Sequence, residues 1–371
     1  MSETTSARGT PVLLAARELG LGGSERQLAE TALALDRDRW SPHVACFRGG
    51  GFRAHELAQA GVPVIELGVD SLIAPSALVA ALRLGRYLGQ HAIQLVHTFD
   101  VPSDLFVAPA ARLHRVPVVL TSQRAHRDLI GRGQRHLLRL TDRIADGIVV
   151  NSLAVARQLA RQDGVPQSKI RVAHNGLDTA IFRREGPRAR TPWTAGEPVI
   201  GVVCALRPEK GLGTLIEAFA KLRGAKLLIV GSGPELSRLQ AQAGKLGVDC
   251  HFEPATRNVA EWLRAIDIFV LPSLSEALSN SLLEAMGCGC CPIASDVGGN
   301  PELIADGETG LLFPAGDAEA LAGRLRTVLA DEPLRRRLAA AAEQRAHHEF
   351  RREVAAARMA AIYRAFLESV R

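Results

Sequence analysis

The sequence predicts an α/β protein built as two doubly wound domains that face each other across a cleft. Three observations lead there. Strand-like apolar runs alternate with segments long enough for helices along most of the chain, which is the pattern of parallel sheets joined by right-handed crossovers. The alternation breaks once, at residues 182–193, and then starts again. Finally, 371 residues exceed what one hydrophobic core usually organises, so about two domains are expected.

Taken in order, the apolar runs predict strands at residues 11–15, 43–47, 62–67, 94–99, 116–121 and 147–151 in the first half. Each is a short run bounded by turn residues. The break reads PheArgArgGluGlyProArgAlaArgThrProTrp; proline, glycine and charge replace periodic apolar residues there, as in a linker. Strands resume at 199–204, 226–230, 267–271 and 291–294, and helices dominate from Asp317 onward. The expected domains are 1–185 and 186–371, both Rossmann-like, with the last helix packing back on the first domain. Ligands of such sheets bind beyond the carboxyl ends of the strands.

Apolar residues make up 47% of the chain, enough for packed cores. No apolar run reaches the roughly 18 residues of a membrane span, and the opening MSETTSARGT lacks the apolar stretch of a secretory signal. The expected location is cytoplasmic, with peripheral attachment to the inner face of the membrane. Six cysteines in a chain this long do not form a disulfide framework, and Cys288, Cys290 and Cys291 have no second spaced pair; they read as buried thiols rather than a zinc site.

Charge is unevenly placed. Residues 1–190 hold 25 Lys and Arg against 17 Asp and Glu, a surplus of +8, whereas residues 191–371 hold 20 against 22, or −2. An anionic partner for the first half follows. Nucleic acid is not expected, because aromatic residues are only 4% and none interleave with the basic stretches. Arg132, Arg135, Arg139 and Arg143, spaced three, four and four apart, form one stripe of a helix beside Leu137, Leu138 and Leu140. That stripe suits an anionic membrane surface or a lipid-linked acceptor; the alternative is a solvated face.

Four motifs carry chemistry. LeuGlyLeuGlyGlySerGluArg, 19–26, follows the first strand and opens a helix, where glycines let amides approach an anion. A plain strand-to-helix turn is the alternative, and the spacing is not GxGxxG. ArgProGluLysGly, 207–211, follows the first strand of the second half; Arg207 and Lys210 there suit a diphosphate that gains charge as it leaves, with a solvated loop as the alternative. ValGlySerGlyProGlu, 230–235, permits close backbone approach without side-chain chemistry. In SerLeuSerGluAlaLeuSerAsnSerLeuLeuGlu, 273–284, seven residues separate Glu276 from Glu284. Ser279 and Asn280 are good N-caps, so a helix begins there, carrying Glu284 and leaving Glu276 on the loop before it. The amides of Asn280, Ser281 and Leu282 then offer an anion site, and a nearby carboxylate accepts hydrogen bonds from a sugar diol.

GlyGlySerGlu at 22–25, ValAlaHisAsnGlyLeuAsp at 172–178, ArgProGluLysGly, GlySerGlyPro at 231–234, the paired glutamates and ValGlyGlyAsnProGlu at 297–302 occur in register over nearly the whole chain. Together they resemble the retaining GT-B glycosyltransferases of family 4, the glycosyl transferases group 1. The resemblance implies transfer of a hexose from a UDP- or GDP-sugar to an acceptor hydroxyl, with anomeric configuration kept, in cell-envelope or exopolysaccharide synthesis. It implies front-face displacement in which a phosphate oxygen takes the acceptor proton, with no enzymic nucleophile, metal or other cofactor. By the same resemblance, Glu284 holds the ribose and Glu276 the donor sugar, while the diphosphate lies against Asn280, Ser281, Leu282, Lys210 and Gly23. Glu276, Arg207 and Lys210 form the catalytic set; Gly22, His97 and Arg124 belong to the acceptor side, in the N-terminal domain. The acceptor is a sugar or a lipid-linked sugar, and base contacts come from the main chain near 254–259.

The departures are specific. Ala205 stands where the family usually has an arginine, and Arg207 is its substitute. Ala277 replaces the glycine that commonly follows the first glutamate, Phe99 stands where many members have a second histidine, and residues 122–127 are arginine-rich where others place a histidine against a sugar. His97 as a packing histidine is the alternative to its acceptor-side role. Asp36-Arg37-Asp38 resembles the acidic triplet of another glycosyltransferase fold but ends a helix, and reads as surface. A nucleotide-sugar epimerase or hydrolase and a non-catalytic nucleotide-sugar sensor are the rival functions; a nicotinamide oxidoreductase lacks its glycine fingerprint.

Overall fold

The computed structural model describes residues 9–20, 22–72, 74–127, 130–193 and 196–370. They form two compact units, one of residues 1–176 with 352–371 and one of residues 177–351.

The first unit runs β1 Thr10–Ala16, α1 Gly23–Ala34, β2 Trp40–Cys46, α2 Phe52–Gln59, β3 Val64–Glu66, α3 Pro75–Gln90, β4 Leu95–Thr98, α4 Val101–Leu113, β5 Val118–Gln123, α5 Arg132–Ile144, β6 Gly147–Val150, α6 Leu153–Gln162 and β7 Ile170–Val172. Its seven parallel strands are ordered β3-β2-β1-β4-β5-β6-β7, with Val12 opposite Leu95 in register. Successive residues of a strand face opposite sides, and β1 shows it. Val12 and Leu14 pack with Leu28 and Ala29 of α1, whereas Leu13 and Ala15 pack with Leu84 of α3 and Val107 of α4. Buried on both faces, the central strands are largely apolar, although β4 ends in His97 and Thr98 and β5 in Thr121, Ser122 and Gln123, all buried.

The second unit contains β8 Val199–Val203, α7 Leu212–Phe219, β9 Lys226–Val230, α8 Leu236–Leu246, β10 Cys250–Glu253, α9 Val259–Arg264, β11 Ile268–Leu271, α10 Asn280–Gly287, β12 Cys291–Ser295, α11 Asn300–Leu303, β13 Leu311–Phe313, α12 Ala318–Ala330 and α13 Glu332–Glu349. Its parallel sheet is ordered β10-β9-β8-β11-β12-β13. The last helix, α14 Arg352–Ser369, lies in the first unit, where Met359, Tyr363 and Phe366 join the layer of α1. In each sheet the strand order reverses once, at β1/β4 and at β8/β11, the places where open α/β sheets form ligand crevices.

Three strands exceed the sequence expectation: β7, β10 and β13, all at sheet edges. The division of the chain also differs. It falls at Gly176–Leu177 rather than at 185, and the segment read as a linker is strapped to the second unit. The Arg264 guanidinium donates to the carbonyls of Arg183, Pro187 and Ile181, and Phe182 is buried in that unit's core. Composition signals the loss of periodic structure, not the loss of packing. Cys288, Cys290 and Cys291 are buried free thiols; burial pushes Cys288 and Cys291 up to about 12. Asp36 to Asp38 form an exposed turn after α1. Among the described residues, no helix is long and apolar enough to cross a membrane.

Candidate functional site

In the second unit, four loops interlock at the carboxyl ends of β8, β9, β11 and β12. After β8, residues Pro208–Lys210 make one 3-10 turn, ended by Gly211 at φ 61°. A Cβ on Gly211 would lie 2.2 Å from the Pro272 carbonyl oxygen, so only glycine lets this loop meet the one after β11. There the Glu209 carbonyl accepts the Leu274 amide at 2.8 Å. The loop after β9 closes on the same strand end, since Leu206 donates to the Ser232 carbonyl and Glu235 to the Leu206 carbonyl. From β12, Ser295 Oγ donates to the Ser273 carbonyl at 2.6 Å.

This scaffold brings Lys210 and Glu276 together across the β8/β11 reversal. Lys210 Nζ lies 2.6 Å from Glu276 Oε2, with side chains 18% and 12% exposed. Ser273 Oγ donates to the same carboxylate oxygen at 3.2 Å. Burial works against the Lys210 charge, but the Glu276 carboxylate outweighs it and holds the ammonium above its usual pKa. Gly298, at φ 55°, runs directly behind Glu276; a Cβ there would be 1.5 Å from the Glu276 carbonyl oxygen. Ser273 and Gly298 were not singled out by sequence reasoning, although both lie inside the motifs it quoted.

Helix α10 begins as expected. Ser279 is its N-cap, and Glu284 on its second turn is only 4% exposed, so it is no ordinary surface glutamate. One expected donor is corrected: the Leu282 amide is bound by Ser279 Oγ at 3.2 Å, because an N-cap hydroxyl satisfies the third amide of its helix. Leu282 therefore drops out of the expected amide site. Arg207 is 63% exposed at its side chain and, among the described residues, its ion-pair partner is Glu209, at 4.0 Å, not Glu276.

In the first unit, Gly22 is the N-cap of α1 and Gly23 its first residue. The Glu25 side chain folds beneath Gly22, 2.2 Å from where a Cβ would stand, and burial raises its pKa. At the neighbouring strand end Asp100 caps α4, accepting from Ser103 at 2.9 Å, and also accepts the Arg17 amide at 2.7 Å. His97 is wholly buried. Its Nδ1 meets the Tyr363 hydroxyl and its Nε2 the Ser122 hydroxyl, each at 2.8 Å, and burial together with the Arg124 charge holds its pKa well below the usual value. Both ring nitrogens are thus engaged inside the protein, the arrangement of a packing histidine. Arg124 stacks on Phe99, 4.8 Å from the ring centroid, and donates to Asn175 Oδ1 at 2.9 Å. The arginine stripe of α5 is divided: Arg135 and Arg139 turn to the buried Asp163 carboxylate at 2.9 and 3.4 Å, while Arg132 and Arg143 are exposed.

Comparison with known proteins identifies the domains and the fold. Residues 21–181 match the Glycosyltransferase Family 4 domain and residues 184–345 the Glycosyl transferases group 1 domain. The chain is 32% identical over 206 residues to N-acetyl-alpha-D-glucosaminyl L-malate synthase of Bacillus anthracis, covering 53% of this chain and 54% of that protein. It is 33% identical over 214 residues to the lipopolysaccharide core biosynthesis glycosyltransferase LpsE of Rhizobium meliloti, covering 57% and 62%. The chain spans about half the length of the curated relatives it matches. Among solved structures, HepE of Anabaena, crystallised with UDP and glucose, superposes with a TM-score of 0.83 at 21% identity, covering 95% of this chain and 99% of that one, a likeness that shows the GT-B fold. With the two domains in tandem over most of its length and the paired sheets of that fold, this chain belongs to the family 4, group 1 glycosyltransferases.

Proposed function

We propose that the chain is a retaining glycosyltransferase that moves a hexose from a UDP- or GDP-sugar to an acceptor hydroxyl, in the synthesis of a cell-envelope or exopolysaccharide glycan. The observation that carries this reading is the Lys210–Glu276 pair at the sheet's reversal point, with the α10 N-terminus and Glu284 following in the same stretch. A UDP-sugar is the first donor to try, since the solved relative from Anabaena was crystallised with UDP and glucose.

In this reading Lys210 exchanges partners. Glu276 holds its charge at 2.6 Å; when a donor binds, diphosphate oxygens take the ammonium and Glu276 is released to accept hydrogen bonds from sugar hydroxyls. The bond from the anomeric carbon to the phosphate oxygen breaks, and the electron pair leaves with the diphosphate. The acceptor oxygen bonds to the same face, and its proton passes to a phosphate oxygen. Lys210 and the Asn280 and Ser281 amides act on charge that grows during this step, so they favour the transition state over the bound donor. They supply positive charge without a metal, and activity is expected to persist in EDTA. Glu284 accepts from the ribose diol. We further propose that α5 rests on anionic lipid at the inner face of the membrane, near a lipid-linked acceptor.

The test is release of nucleoside diphosphate from UDP-glucose or GDP-mannose, with and without a panel of hydroxyl acceptors. Acceptor-dependent release is expected, and Lys210→Ala should lower kcat by about 10²-fold or more, whereas Glu284→Ala should act mainly on donor KM. Release that ignores the acceptor points to an epimerase or hydrolase. Donor binding without turnover points to a sensor.

A further inference from the structure

We propose that Arg124 marks a subsite for an anionic group, a carboxylate or a phosphate, carried by the acceptor. The word acceptor rests on the glycosyltransferase reading above; the anion subsite stands on its own geometry. Arg124 directly follows β5, at the carboxyl end of the sheet, which is where a ligand of the first unit is expected. Its partners are all neutral: the Phe99 ring lies under the guanidinium and the Asn175 amide oxygen takes Nη1. Among the described residues no carboxylate stands within ion-pair distance of it, and its Nε is buried without a hydrogen-bond partner.

Arg124 is half-buried. Withdrawing a cation from water even in part without a counter-charge is costly, and ordinarily a carboxylate is supplied by the fold. Here the fold does supply one to Arg127, whose guanidinium takes both oxygens of Asp142 at 2.7 and 2.8 Å, three residues along the same segment. Glu30 acts on Arg124 only across space, and burial brings the guanidinium down to about 10, still charged at neutral pH. The neighbouring ring of His97 is kept neutral and bound by hydroxyls, so it competes for no anion. A guanidinium is planar and donates in a fixed fork that fits carboxylate and phosphate oxygens. The +8 surplus of residues 1–190 draws the same class of ligand toward this unit.

The experiment uses the full chain and matched probes: glycerol 3-phosphate against glycerol, and lactate against its methyl ester. Calorimetry on the donor-free protein should show the charged member of each pair binding about ten-fold or more tighter, and saturating UDP should leave that binding in place. Arg124→Met should bring the ratio near unity, and Arg124→Lys should restore part of it. Loss of probe binding when UDP is added would assign the arginine to the donor's diphosphate and overturn the proposal. Equal binding of charged and neutral probes by the unaltered chain would overturn it too, and that result needs no variant to fold. Because this binding is read without turnover, its failure is distinguishable from the failure of the transfer activity, which diphosphate release reports.

Discussion

Gly298 shows how much of the site depends on one missing methyl group. The residue sits at φ 55°, a left-handed conformation, and a Cβ would fall 1.5 Å from the Glu276 carbonyl oxygen. Alanine there incurs both a backbone cost of about 1 kcal/mol and a collision that moves the Glu276 loop off its position beside Lys210. Misplacement of a positioning group by about 1 Å is enough for roughly a 10²-fold loss of rate. Gly298→Ala is therefore expected to reduce kcat to about that extent. Gly247, at φ 64° with nothing within 4 Å, is the control: Gly247→Ala should lower the melting temperature and leave turnover intact. Equal activity in the two variants would show that the Glu276 loop tolerates displacement. The identities of Lys210, Glu276 and Glu284 were legible because each belongs to a local motif. The contact of Lys210 with Glu276, 66 residues apart, was not, and neither was the grip of Tyr363 on His97 across 266 residues.

Among elements, the central strands were legible because burial on both faces makes them largely apolar. Edge strands lack that signature. All four residues of β10 are only partly buried, and β7 contains Arg171, so neither stands out from a loop. The start of α10 was legible because a capping serine acts within three residues of itself. Helix α5 is the instructive partial case. Its arginine periodicity predicted one cationic stripe, but periodicity cannot foresee a partner on the next helix, and Asp163 takes Arg135 and Arg139. What remains outward is Arg132 and Arg143 with Leu137 and Leu140, 49% and 44% exposed. Exposed leucines flanked by cations are the makings of an interfacial helix. Flotation with vesicles containing anionic lipid should recover the chain. Arg132→Glu with Arg143→Glu, or Leu137→Ser with Leu140→Ser, should each reduce recovery several-fold. Arg139→Glu should instead lower stability through Asp163. Flotation unchanged in both double variants would remove α5 from the membrane.

At the scale of the whole molecule, sensitivity to acid is concentrated in the first unit. His43 is buried against the Tyr87 hydroxyl at 2.7 Å and the His91 ring at 4.8 Å. Burial first, and the His91 charge second, lower its pKa to about 4, and His97 is held well below the usual value in the same unit. A histidine whose folded pKa is depressed binds fewer protons in the native state than in the unfolded chain. Its contribution is fully present above the unfolded value near 6.5 and is lost as pH falls, for His43 until about 4. Between pH 7 and pH 5 that amounts to about 2 kcal/mol from His43. Asp104 opposes it, since burial raises its pKa well above the usual value, so its protonated native form is favoured on acidification. A melting curve of the unaltered chain therefore mixes opposite signs, and the informative quantity is a difference. His43→Gln retains a hydrogen-bonding side chain for Tyr87 but cannot take a proton. Its melting temperature should fall less between pH 7 and pH 5 than that of the unaltered chain, by a few degrees. The Asp104 contribution, common to both proteins, cancels from that comparison. Parallel pH dependence in the two would mean that His43 is already protonated inside the fold, which its contact with His91 and its burial argue against.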